Sequence, residues 1–110
     1  MPPKKSSRLV IDPLALQSAA GRAVGALKLL ANQDRLMLLC QLSNGETCVS
    51  ELEVQLAIRQ PTLSQQLGVL RNEGVVATRR EGKNIYYSVA DPALLEILAL
   101  LYRLYCPKES

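Results

Sequence analysis

Three cysteines and no histidine define the chemistry open to this 110-residue chain. Cys40, Cys48 and Cys106 could form a disulfide, bind a soft metal or metalloid as thiolates, or attack an electrophilic sulfur. A second set is the run Gln60, Thr62, Ser64 and Gln65. Gln, Ser and Thr side chains can hydrogen-bond to base edges in the major groove of DNA, and Gln can pair bidentately with adenine. A third set is cationic: Arg79, Arg80 and Lys83 flank Gly82, and Arg71 lies just upstream. Such groups suit phosphate oxygens. Taken singly, each set has a plainer counterpart. A lone cysteine is usually a small buried hydrophobe, a Gln/Ser face is a solvated helix face, and a charged turn keeps a hairpin soluble.

The elements that would position these residues can be read from periodicity and caps. Pro13 suits a first helical turn with Asp12 as its N-cap. Leu16, Ala20, Val24 and Leu27 then step at helical spacing. A second helix starts near Asn32 to Asp34, runs through Leu42 and is stopped by Ser43-Asn44-Gly45. A short third helix holds Glu51 to Leu56. Pro61 opens a fourth, and Gly74 closes it. Leu63, Leu67 and Leu70 line its inner side, which leaves Pro61, Thr62 and Gln65 opposite and Gln60 and Ser64 at the flanks. Val75 to Thr78 and Ile85 to Val89 predict a hairpin joined by the charged turn 79–83. Asp91 caps a last helix that begins at Pro92. Helix, turn, helix and hairpin in this order describe a winged helix-turn-helix, an α+β but mainly helical fold. In it the fourth helix reads DNA and the basic wing meets the backbone.

At this length the chain makes one small domain. The expected organisation is a flexible basic tail over 1–12, the winged-helix domain over 13–106 and a short tail over 107–110. The net charge of +3 is mild, but residues 59–83 carry five cations against two carboxylates, which matches that excess. Lys4, Lys5 and Arg8 add to the first tail. Charged and polar residues interrupt the Leu/Ala-rich stretch 9–31, so it cannot span a bilayer. An odd cysteine count with no scaffold spacing and no secretory signal points to the cytoplasm and reduced thiols. Thiol oxidoreductase activity would need an activated thiolate, and the chain offers neither a CxxC motif nor a histidine base. In the last helix, ALLEILALLYRLY, only Glu96 and Arg103 are charged. It lacks the wet face of a surface helix, and the first helix reads as too short to cover it within one subunit. Both helices are therefore expected to form a homodimer interface through Leu16, Ala20, Val24, Leu27, Leu98, Leu101 and Tyr105.

Residues about 25–106 resemble the ArsR/SmtB family of dimeric winged-helix repressors. The matching segments are LKLLANQDRLMLLCQL, VSELEVQLAIRQPTLSQQLGVLRNEGVV and RREGKNIYYSV, of which QPTLSQQLGVLRNEG is highly specific. The resemblance implies a repressor that binds a palindromic double-stranded operator until an inducer releases it. It also places the family's DNA-reading positions on Gln60, Thr62, Ser64 and Gln65. Many members carry His where Gln65 and Gln66 stand, a departure that bears on base preference.

The resemblance also frames the thiols. Members that sense metal through His in the last helix are not matched here. The arsenite type carries Cys-Val-Cys-Asp-Leu where this chain reads Cys48-Val49-Ser50-Glu51-Leu52, so one thiol of that pair is missing. In contrast, LLCQL around Cys40 and LYRLYCP around Cys106 resemble the sulfide- and persulfide-responsive BigR/SqrR/HlyU-type subgroup. That likeness implies a redox pair of Cys40 and Cys106, bridged by reactive sulfur, with Cys48 outside it. No cofactor and no resident metal are then expected. An arsenite or thiolate-metal site built from Cys40, Cys48 and Cys106 is the alternative.

Overall fold

A computed structural model describes residues 10–107. The order is α1 (Pro13–Leu30), α2 (Gln33–Leu42), β1 (Thr47–Cys48), α3 (Val49–Leu56), α4 (Gln60–Asn72), β2 (Val76–Glu81), β3 (Asn84–Val89) and α5 (Pro92–Tyr105). This is the mainly helical winged helix-turn-helix that the residue pattern predicts. Lys4, Lys5 and Arg8 of the expected basic tail lie outside the described residues, as do 108–110 of the C-terminal tail.

Helix starts follow their caps. The Asp12 carboxylate accepts from the Leu14 N–H at 3.2 Å, Asn32 Oδ1 from the Arg35 N–H at 3.0 Å, and Asp91 from the Ala93 N–H at 2.9 Å. Each satisfies one of the first-turn donors that a helix cannot pair internally. Helix α3 begins at Val49, two residues before Glu51, and its N-cap is Cys48. The reason is a strand the sequence reading missed. Thr47 and Cys48 pair antiparallel with Tyr87 and Tyr86 and give a three-stranded sheet in the order β1-β3-β2.

The hairpin is also longer than expected. Arg79 pairs with Tyr86, Arg80 with Ile85 and Glu81 with Asn84, so the charged run is mostly strand. Only Gly82 and Lys83 turn, with Gly82 at φ 63°, the left-handed region that glycine enters without steric cost.

Leucine dominates the core. Leu38, Leu39 and Leu42 of α2 meet Leu52, Leu63, Leu67, Leu70, Leu94 and Leu98, with Ile58, Val76 and Tyr87 beside them. Helix α2 is the hub, touching α1, α3, α4, α5 and β3. Arg35 near its start fastens α1 to it. The guanidinium donates Nε–H to the Leu29 carbonyl at 2.8 Å and Nη2–H to the Lys28 carbonyl at 3.1 Å.

Helix α1 buries only Leu29 and Leu30 at its C-terminal end. It spans 18 residues, so the expectation that it is too short to cover α5 is corrected. Its placement, rather than its length, leaves the outer side of α5 bare.

Candidate nucleic-acid interface and dithiol site

Helix α3, a tight turn and α4 present the candidate reading face. Ala57 adopts φ 56° to end α3, and Ile58 tucks into the core before α4 begins. Leu63, Leu67 and Leu70 are fully buried, which rotates Gln60, Ser64 and Gln65 outward and leaves Thr62 half-buried at the edge. Gln60 Nε2 donates to Ser64 Oγ at 3.1 Å. Two of the expected base readers therefore hold each other in the free protein. Arg71, in the last turn of α4, and Arg80 and Lys83 on the wing are exposed cations.

Arg79 is placed differently from the expectation that it meets phosphate. Its Nε and Nη2 donate to the Glu46 carboxylate at 2.9–3.1 Å, its Nη1 donates to Glu81 at 2.8 Å, and its guanidinium lies 5.0 Å from the Tyr86 ring centroid. These bonds hold the Glu46 carboxyl below its usual range and the guanidinium still more firmly protonated. One cation between two carboxylates has no net charge to offer DNA. It fastens the wing to the segment that follows α2. Glu46 is 33 residues away in the chain, and no sequence pattern announced it.

A DNA titration at several salt concentrations separates these roles. Arg80→Ala is expected to lower the slope of log K against log salt by about 1, the loss of one phosphate contact. Arg79→Ala should leave that slope unchanged. Gln65→Ala should cost about 1–3 kcal/mol on the cognate site and little on random DNA. Equal losses on both DNAs would remove Gln65 from the base readers.

The candidate redox thiols stand on α2 and at the end of α5. Cys40 is half-buried against the core and borders an open cleft of about 460 Å³. Gln41, Ser43 and Asn44 supply one wall, and Leu98, Ala99 and Tyr102 of α5 the other. Cys106 is the exposed C-cap of α5, its N–H bonded to the Tyr102 carbonyl at 3.0 Å. Burial, and then the nearby charge of Cys106, push the Cys40 thiol above its ordinary range. Cys40 thus borders the cleft against α5, and Cys106 caps the C-terminal end of that same helix.

Cys48 is apart. It is 7 % exposed in β1, with its sulfur 3.4 Å from Ser50 Oγ. Among the described residues, no three Cys, Asp or Glu side chains converge as metal ligands would.

The residues expected at a dimer interface divide in two. Leu16, Val24 and Leu27 on α1 and Tyr105 on α5 are exposed, Tyr105 by 80 %. Leu14 on α1 and Leu100, Tyr102 and Leu104 on α5 are exposed as well. Ala20 is half-buried, and Leu101 is half-buried against the core. Leu98, expected on the shared surface, is corrected: at 2 % exposure it belongs to the chain's own core. Its position one turn after Leu94 on the inner side of α5 is the cause. A helix apolar on both sides does not reveal from sequence which side turns in.

Comparison with known proteins agrees with this architecture. Residues 32–78 match the family model described as bacterial regulatory protein, arsR family. The biofilm growth-associated repressor of Agrobacterium fabrum is 50 % identical over 96 residues, 87 % of this chain and 82 % of the relative. The crystal structure of the transcriptional repressor BigR from Xylella fastidiosa superposes with a TM-score of 0.84 at 42 % identity, covering 89 % of this chain and all of that one. Reduced HlyU from Vibrio cholerae superposes with a TM-score of 0.80 at 38 % identity, covering 84 % of this chain and 98 % of that one. These relatives are regulators of transcription rather than enzymes. No helix among the described residues is long and apolar enough to cross a membrane. The chain belongs to the arsR family of bacterial regulatory proteins and carries its winged helix-turn-helix.

Proposed function

We propose that the protein is a homodimeric, cytoplasmic transcriptional repressor that binds a palindromic operator when Cys40 and Cys106 are reduced and leaves it when reactive sulfur bridges them. The observation that carries this reading is the placement of Cys40 on the hub helix, beside a cleft whose other wall is α5, the helix that the exposed Cys106 caps. The repressors of Agrobacterium and Xylella support the direction of regulation, and the reduced form of HlyU supports a redox-dependent state in a relative. The bare apolar faces of α1 and α5 support the dimer, because surfaces of that kind mark protein contacts.

The chemistry follows from exposure. The thiolate of Cys106, open to solvent, attacks the outer sulfur of an organic persulfide R–S–SH. An RS⁻ thiolate leaves, and Cys106 becomes a persulfide. The Cys40 thiolate then attacks the inner sulfur of Cys106, forming the disulfide and expelling HS⁻. Both cysteines are oxidised, and the transferred sulfur is reduced to sulfide. Cys106 is exposed and Cys40 is half-buried with its thiol pushed up, so the persulfide meets Cys106 first.

The sign of the pH effect is fixed by that shift. A thiol held above its ordinary range gains thiolate, and so nucleophilicity, only as pH rises. Alkylation of Cys40 by iodoacetamide, followed peptide by peptide, should therefore keep accelerating beyond about pH 8.5, the ordinary thiol value. A midpoint below that value would remove the proposed order.

The whole reading is tested by treating reduced protein with an organic persulfide, then measuring intact mass and operator binding together. Loss of two hydrogens per chain with release of the operator is expected. Release by arsenite that requires Cys48 would replace the dithiol reading with the three-thiol one.

A further inference from the structure

We propose that Arg35 couples the dithiol to the DNA-reading helix as a positioning residue that acts through Gln66, an inference that rests on the dithiol reading above. Arg35 opens the helix that carries Cys40 five residues later, a rise of about 7.5 Å along one rigid element. Its side chain is half-buried and its guanidinium touches two other helices. Nε and Nη2 hold the Leu29 and Lys28 carbonyls at the C-terminal end of α1, at 2.8 and 3.1 Å. Nη1 donates to Gln66 Oε1 on α4 at 3.3 Å.

The chemistry of each contact explains why an arginine stands here. The last carbonyls of a helix have no donor within it and lie at the negative end of its dipole. A cation with several N–H groups answers both needs. Because the guanidinium is planar and its donors point in fixed directions, gripping α1 leaves its remaining edge aimed at one place. That place is Gln66, half-buried and adjacent to Gln65 on the reading face. Among the described residues this is the one side-chain hydrogen bond between α2 and α4. Leu38, Leu39 and Leu42 of α2 also share one apolar core with Leu63, Leu67 and Leu70 of α4, and such packing tolerates sliding better than a directed bond does. A bridge at Cys40 that draws α2 toward the end of α5 therefore moves Arg35 with it and changes the setting of α4 against α1.

A residue that merely caps α1 would predict something different. Gln66→Leu leaves both bonds to α1 in place and removes only the link to α4. The measured quantity is the ratio of operator Kd for bridged and reduced protein. In Gln66→Leu this ratio should shrink at least about fivefold relative to the parent, the lower end of ordinary coupling. Intact mass should show the same bridge formed. Gln66→Glu restores an acceptor for Arg35 and should keep the parent's ratio, even where its added charge weakens both affinities. Gln66→Ala makes the same cut should the leucine variant misfold. A Gln66→Leu or Gln66→Ala protein with the parent's ratio overturns the coupling while leaving the dithiol reading intact. A parent that bridges without changing its operator affinity overturns both.

Discussion

A Cys106→Ser protein is expected to bind operator DNA as tightly as the parent and to stay bound under a persulfide excess that frees the parent. The serine is nearly isosteric and stands at an exposed helix cap, so neither the fold nor the reading face is disturbed. What disappears is the entry point for sulfur. Cys40 remains, but half-buried and with its thiol pushed up by burial, it offers little thiolate to a persulfide at neutral pH. Cys40→Ser should give the same repressed outcome by a different route. Its Cys106 takes up one sulfur and stops there, visible as an added sulfur in the intact mass. Cys48→Ser should respond as the parent does. The effect is large because the response vanishes altogether, where allosteric ratios of about 5–150-fold are usual. Gel shift and mass spectrometry on the same samples make the check. Release of Cys106→Ser by persulfide would end the two-thiol model.

The second large effect is expected from Leu27→Glu. Leu27 is 60 % exposed on the bare side of α1, so in the isolated chain a glutamate there remains hydrated and costs little. In a dimer seam the same carboxylate would be buried without a partner, at several kcal/mol per copy. Each dimer holds two copies, and every ~1.4 kcal/mol is tenfold in the association constant. Sedimentation should therefore show a folded monomer where the parent is a dimer. Operator binding should fall with it, because a palindrome is read by two helices one DNA turn apart. The choice of position matters. Leu98 serves the chain's own core, and Leu101 packs against it. A charge at either would unfold the protein and test nothing about assembly. A Leu27→Glu protein that remains dimeric would place the interface elsewhere.

Local signals were legible in the sequence, and distant ones were not. Asp12, Asn32 and Asp91 cap helices because a short polar side chain beside a helical run has one efficient use. Leu63, Leu67 and Leu70 declare the inside of α4, so the outward set of Gln60, Ser64 and Gln65 follows at once. In contrast, β1 is only two residues long, too short for alternation to show. The run Arg79-Arg80-Glu81 reads as loop from its charge, yet its register with Asn84 to Tyr86 makes it strand. The bonds of Arg79 to Glu46 and of Arg35 to Gln66 reach across 33 and 31 residues, and folding alone brings such partners together. The thiol pair falls between these cases. The likeness to sulfur-responsive repressors suggested it, but the cleft that Cys40 shares with α5, the helix that Cys106 caps, emerges only in three dimensions.

The burial of Cys48 has a consequence for error. A protein that takes oxidation as its signal must also survive oxidation, and an odd thiol is the usual route to wrong pairings. Here Cys48 is sealed in a strand, and Cys106, which the dithiol reading puts first in line for sulfur, is exposed at the C-cap of α5. Excess oxidant therefore meets Cys106 first and carries it up the irreversible ladder to sulfinic and sulfonic acid. On the dithiol reading, a chain so damaged cannot close its bridge, yet its core and its reading helix are untouched. It remains folded and keeps its operator shut: the sensor fails toward silence.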